Sequence, residues 1–157
     1  MELFQIDWIQ IRSHLVLLGI AYALALPIAL DRERNARSAG LRTFPLVALA
    51  SCGFMLVGIE AFADENARAR ILQGIIAGMG FIGGGAILKG DAVVTGTATA
   101  AGLWTTGAIG IAVAWQRIEI ALVLSAFTFV TLNLVPAVAK PMLGENATKK
   151  DDQRAPE

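Results

Sequence analysis

The sequence predicts an all-α integral membrane protein, a compact bundle of about five transmembrane helices with its N-terminus outside and its C-terminus inside. Three observations carry this. Hydrophobic residues make up 55% of the 157 positions and charged ones only 17%, whereas soluble domains run at about 45–50% apolar and about 25% charged. The charges cluster, leaving long uncharged gaps of the length a bilayer demands, roughly 17–25 residues for a helix. Within the gaps, stretches such as ALVLSAF and GIIAGMGFIGGG show none of the apolar–polar alternation of a membrane β-barrel.

Taken in order, the gaps predict spans near 13–30, 43–63, 71–88, 98–116 and 120–139. The first lies in the 18 uncharged residues between Arg12 and Asp31, and the second begins after Arg42 and carries Glu60 at headgroup level. The third fills the 18 residues between Arg70 and Lys89. The fourth comes from a 25-residue stretch whose polar start, VVTGT, lies outside the hydrocarbon, and the fifth has 20 residues. Residues 1–143 thus form one membrane domain, and the polar stretch 144–157 is expected to be a loose cytoplasmic tail with no further soluble domain.

Orientation follows from the lysine and arginine bias. An outside N-terminus leaves nine basic residues in the cytoplasm (Arg32, Arg34, Arg37, Arg42, Lys89, Lys140, Lys149, Lys150, Arg154) and four outside (Arg12, Arg68, Arg70, Arg117). Ala23-Leu24-Ala25 imitates a signal-peptidase site, but the positive cluster follows the apolar run instead of preceding it, so the first span is read as retained.

Composition also narrows the chemistry. Net charge is zero, which argues against nucleic acid as a partner. Cys52 and His14 are each the only residue of their type, so neither a disulfide framework nor a Cys/His zinc site can be built. No catalytic set, metal cluster or cofactor site emerges. His14 and Trp8 belong at the outer interface, Cys52 to packing, and Ser51, Thr106, Ser125 and Asn133 to hydrogen bonds between helices.

Two stretches stand out. Gly78-Met79-Gly80-Phe81-Ile82-Gly83 is formally GxGxxG, yet no strand precedes it and no acid follows about 20 residues on, so it is no dinucleotide fingerprint. Gly74 and Gly78, and separately Gly80 and Gly84, stand four apart, with Gly83 and Gly85 adding to the small-residue surface. In lipid, where no hydrophobic force drives association, such spacing lets backbones approach closely. The third span is therefore expected to be the central, most crowded helix. The second stretch is Asp31-Arg32-Glu33-Arg34 at the end of the first span. On a continuing helix Asp31 pairs with Arg34 and Glu33 with Arg37, and a carboxylate abutting hydrocarbon is a functional candidate by default. A topology anchor is the alternative for Asp31 and Glu33 and the leading reading for Arg34 and Arg37.

These same residues carry a family resemblance. Asp31-Arg32-Glu33-Arg34 running into Ala39-Gly40-Leu41-Arg42-Thr43, then the glycine run to Leu88 with Phe81, then Val94 to Gly110 with Thr99 and Trp104, resemble the MgtC/SapB family of bacterial inner-membrane proteins. The chain departs from that pattern at Asp31, where Glu is usual, at Phe44, where His is common, and at Thr95 and 97–99. The resemblance implies a small helical protein linked to growth at low magnesium and, in pathogens, to survival in macrophages. It also implies regulation of membrane complexes such as the F-type ATP synthase, with Asp31, Arg32, Glu33, Arg34 and Arg42 as functional candidates. A regulator or adaptor working through helix contacts in the bilayer, possible as a homo-oligomer, is the leading reading. A small divalent-cation or solute transporter is the alternative, and an enzyme ranks last.

Overall fold

A computed structural model describes the backbone of residues 7–34, 39–89 and 94–152 and the side chains of 7–34, 39–87 and 94–135. The described residues form helices α1 (Trp8–Arg34), α2 (Thr43–Ala61), α3 (Glu65–Gly85), α4 (Thr97–Ala114) and α5 (Ile118–Asp152), with two-residue strands β1 (Leu88–Lys89) and β2 (Val94–Thr95) between α3 and α4. The strands pair antiparallel, Leu88 with Thr95 and Lys89 with Val94. The all-α membrane bundle is the fold.

Polar residues in the connections set where the helices begin. Asp7 accepts from the backbone N–H of Ile9 at 2.9 Å and of Gln10 at 3.2 Å, opening α1. Asp64 does the same for α3, accepting from Asn66 and Ala67 N–H at 3.2 Å each. Such caps satisfy donors that the first turn leaves orphaned. The α4–α5 turn closes with N–H of Arg117 on the Ala112 carbonyl and N–H of Gln116 on that of Val113, both 2.9 Å, the paired bonds of a Schellman motif. Its left-handed position is Gln116, at φ 58°. Gly96 holds the other left-handed site, φ 87°, just before α4, where a Cβ would run into the Ala86 carbonyl.

Among the described residues four helices are long and apolar enough to cross a membrane by length and composition alone, Trp8–Arg34, Thr43–Ala61, Thr97–Ala114 and Ile118–Val135, and α3 is the fifth helix of the bundle. The expected third span, 71–88, loses its end because the helix stops at Gly85 and the chain passes into β1. The whole of α3, 21 residues from Glu65, rises about 31 Å at about 1.5 Å per residue, comparable to a hydrocarbon core of about 30 Å. One expectation needs correction: α3 is not the crowded helix, since among the described residues it buries only Met79 and Gly83. The centre is α4, which packs against each of the other four helices.

The reason lies in a small-residue ladder on α4. Gly102, Thr106 and Gly110 stand four apart on α4 and all are buried. A Cβ on Gly102 would meet the Phe44 ring at 3.1 Å, and one on Gly110 would collide with the Ala48 carbonyl and Ser51 on α2. Gly107 lies equally close under Met79 of α3. These approaches seat Phe44, Ala48, Cys52 and Met55 of α2, all fully buried, against α4. Helix α5 runs on to Asp152, which carries helical backbone into the stretch expected to be a loose tail.

Candidate functional site

The family-like residues gather in two places. The first is one end of the bundle, where α1 finishes and α2 begins. Asp31 and Arg32 are both buried there, with side chains 4% and 5% exposed. Arg32 Nε donates to Asp31 Oδ2 at 2.8 Å, and a guanidinium N–H donates to the same oxygen. Neighbouring residues on a helix do not normally face each other; the long arginine stem folds back at the helix end to make the contact. Arg32 Nη2 also donates to the Leu132 carbonyl of α5 at 3.3 Å. That carbonyl is available because Pro136, four residues on, has no N–H to give it. Higher up, Ser125 of α5 donates to the Leu24 carbonyl at 2.7 Å, in the turn of α1 that Pro27 disturbs. The first and last helices are thus pinned twice, each time at a carbonyl near a proline.

Glu33 is exposed but engaged: its Oε2 accepts from Leu41 N–H at 3.0 Å. Gly40 lies so close that a Cβ would strike the Glu33 carboxylate, and its carbonyl accepts from Thr43 and Phe44 N–H at 3.1 Å each. The Ala39–Thr43 motif is therefore a tight turn held by the end of α1, which delivers Arg42 to the N-cap of α2 with no side-chain capping bond. The expected Asp31–Arg34 pair is replaced by Asp31–Arg32, and Arg34 is exposed. The side chains of Arg37, Lys89, Asp91, Lys140, Asn146, Lys149, Lys150 and Arg154 lie outside the described residues.

The second place is α3. Among the described residues only Gly83 of its glycines meets another part of the chain, an ideal Cβ there lying 3.3 Å from the Ala100 carbonyl; Gly74, Gly78, Gly80, Gly84 and Gly85 would each place a Cβ more than 4 Å from any described neighbour. Phe81 is 86% exposed and Trp104 is 51% exposed, while Thr99 is buried. Gly74 and Gly78 border an apolar groove between α2 and α3 of about 800 Å³. Ala77, Gly80, Phe81 and Gly84 do not line it and are exposed.

Of the polar residues expected to bridge helices, only Ser125 does so among the described residues. Ser51, Thr106 and Asn133 bond back to carbonyls of their own helices. A bridge that the sequence reading missed joins His14 Nε2 of α1 to Glu60 Oε1 of α2 at 2.6 Å, at the opposite end of the bundle from Asp31. Among the described residues no three His, Cys, Asp or Glu side chains gather as a metal site.

The profile of the MgtC family matches residues 18–140. The chain belongs to the MgtC family. Protein SrpB of Synechococcus elongatus is similar, 38% identical over 140 residues that cover 81% of this chain and 75% of that one. A protein named "Putative magnesium transporter YhiD" in Escherichia coli is 31% identical over 126 residues, 76% of this chain and 59% of its own length. A Synechocystis protein, slr0014, is 38% identical over 96 residues, 61% of this chain and 41% of its own. This family member therefore spans three-quarters of SrpB and less than two-thirds of the other two. No solved structure gives a significant match. The matched region takes in both places described above, from the α1–α2 turn to the glycines of α3.

Proposed function

We propose that this protein is a multi-pass inner-membrane regulator or adaptor that works without catalysis, by presenting the outer face of α3 to a helix of a partner membrane complex. The observation that carries the reading is the row Ala77, Gly80, Phe81 and Gly84, exposed on a helix whose glycines pack almost nothing inside the chain. Small residues four apart let a second helix approach to backbone distance, and Phe81 beside them offers a knob to the partner. The family resemblance supplies the context, adaptation to low magnesium and, in pathogens, survival in macrophages, with the F-type ATP synthase as one partner of the right kind.

The test is crosslinking in native membranes from a photoreactive residue at position 84, with the product identified by mass. A defined partner is expected, and Gly80→Leu should abolish the product while the variant still inserts and elutes as a single species. Unchanged crosslinking in Gly80→Leu would sink the reading.

Transport is the second reading, favoured by the name of the Escherichia coli relative and by Asp31, a buried carboxylate at the end of the bundle. Magnesium uptake by liposomes carrying the purified chain, lost in Asp31→Asn, would favour it over the adaptor. Absence of uptake in liposomes that hold correctly inserted protein would remove it.

A further inference from the structure

The groove between α2 and α3 has a shape and charge that the partner-facing surface of α3 does not share. Near one end α2 and α3 meet tightly, where a Cβ on Gly58 would sit 2.8 Å from Ile71. From there the groove follows Val57, Phe54, Ala50 and Leu46 on one wall and Ile75, Gly78 and Ile82 on the other, ending at Thr43 and Arg42. Residues 42–58 cover about 24 Å of helix, most of the depth of the hydrocarbon. Gly74 and Gly78 widen it, since neither would place a Cβ within 4 Å of anything. At about 800 Å³ it falls within the usual range of ligand sites, about 300–1,000 Å³.

The mouth is positive. Arg42 is exposed and makes no ion pair among the described residues, while the nearest described carboxylate in the turn, Glu33, is held by Leu41 N–H. Arg42 also occupies the N-cap of α2, where a cation opposes the helix dipole. Helix stability therefore does not explain an arginine there. An anion at the mouth would meet the exposed guanidinium; the first N–H groups of α2, of Thr43 and Phe44, are already held by the Gly40 carbonyl, so Arg42 supplies the charge.

We propose that the α2–α3 groove binds an anionic phospholipid, with an acyl chain along the apolar walls and the phosphate at Arg42. Basic pockets between transmembrane helices at the headgroup level take lipids of this kind. The proposal stands independently of the adaptor reading, because the partner face of α3 uses different residues.

Native mass spectrometry of the full chain in detergent, titrated with dioleoylphosphatidylglycerol or dioleoylphosphatidylcholine, tests it. The anionic lipid is expected to bind more tightly, and Arg42→Gln should weaken it about fivefold, the worth of one basic residue near a membrane surface. Gly78→Leu, whose side chain would enter the groove, should weaken both lipids. Arg117→Gln, at the other end of the bundle, should change neither. Equal binding of the two lipids, or full retention by Arg42→Gln, overturns the proposal. So does a dimer crosslinked through positions 74 and 78, because a second copy then fills the groove. Should Arg42→Gln fail to fold, phosphatidylglycerol with a photoreactive acyl chain is added to the wild-type chain. Labelling at Phe54 or Ile75 is expected, and labelling confined to other helices rejects the site.

Discussion

At the scale of single residues, Asp31 and Arg32 are the costliest groups to bury and the most exposed to disruption. A buried pair of opposite charges contributes little net stability when intact, but losing one partner costs the other its charge-assisted hydrogen bonds. Arg32→Met, which removes the bonds to Asp31 and to the Leu132 carbonyl, is expected to destabilise the detergent-solubilised protein by about 1.5–3 kcal/mol, read as a lowered midpoint of thermal or denaturant unfolding. Asp31→Asn should cost less, since an amide still offers an acceptor. Sequence alone picked out these residues but paired them wrongly. Helical spacing pointed Asp31 at Arg34, and only the fold-back of the Arg32 stem at a helix end, with an acceptor left open by Pro136 on a distant helix, selects the neighbour. Glycines separate by the same logic. Gly110→Ala should destabilise strongly because the Cβ has nowhere to go, whereas Gly74→Ala, with open space around it, should gain about 0.5–1 kcal/mol from the stiffer chain. A pair of unfolding curves decides between these opposite signs.

At the scale of elements, the spans read from charge gaps match α1, α2, α4 and the first half of α5, because long apolar runs between charges constrain a helix whatever it packs against. The reading failed where glycine density stood in for contact. Both α3 and α4 are glycine-rich, and spacing by four occurs on each. What separates them is what faces the small residues, Phe44, Ala48 and Met79 on α4 but open space along α3, and no single sequence records that. Helix ends were also illegible in part: the turn into β1 ends α3 at Gly85, and Asp7 and Asp64 emerge as caps only in the structure. The α4–α5 turn makes a local prediction. Gln116 occupies a left-handed position that costs an L-residue about 1–2 kcal/mol, so Gln116→Gly should raise stability by up to about 1 kcal/mol, measured by thermal unfolding.

At the scale of the whole molecule, α4 is the axle around which the other helices sit, and α3 is the least embedded of them. A helix with an open glycine face is suited to meet something else in the membrane, and the adaptor reading rests on that face. Orientation is testable at this scale. With the N-terminus outside, a cysteine placed at Arg117 in a Cys52→Ala background should react with a membrane-impermeant maleimide in intact cells, and one at Arg42 only after lysis. The reverse pattern would invert the topology. The Arg32 contact reaches 100 residues along the chain to Leu132, and this has a bearing on biogenesis. As the protein is made, the guanidinium enters the bilayer long before the carbonyl that receives it has been synthesised. A nascent chain halted before its last helix would hold an unfinished charge site at the membrane edge, a mark by which membrane proteases could tell a truncated product from a complete one.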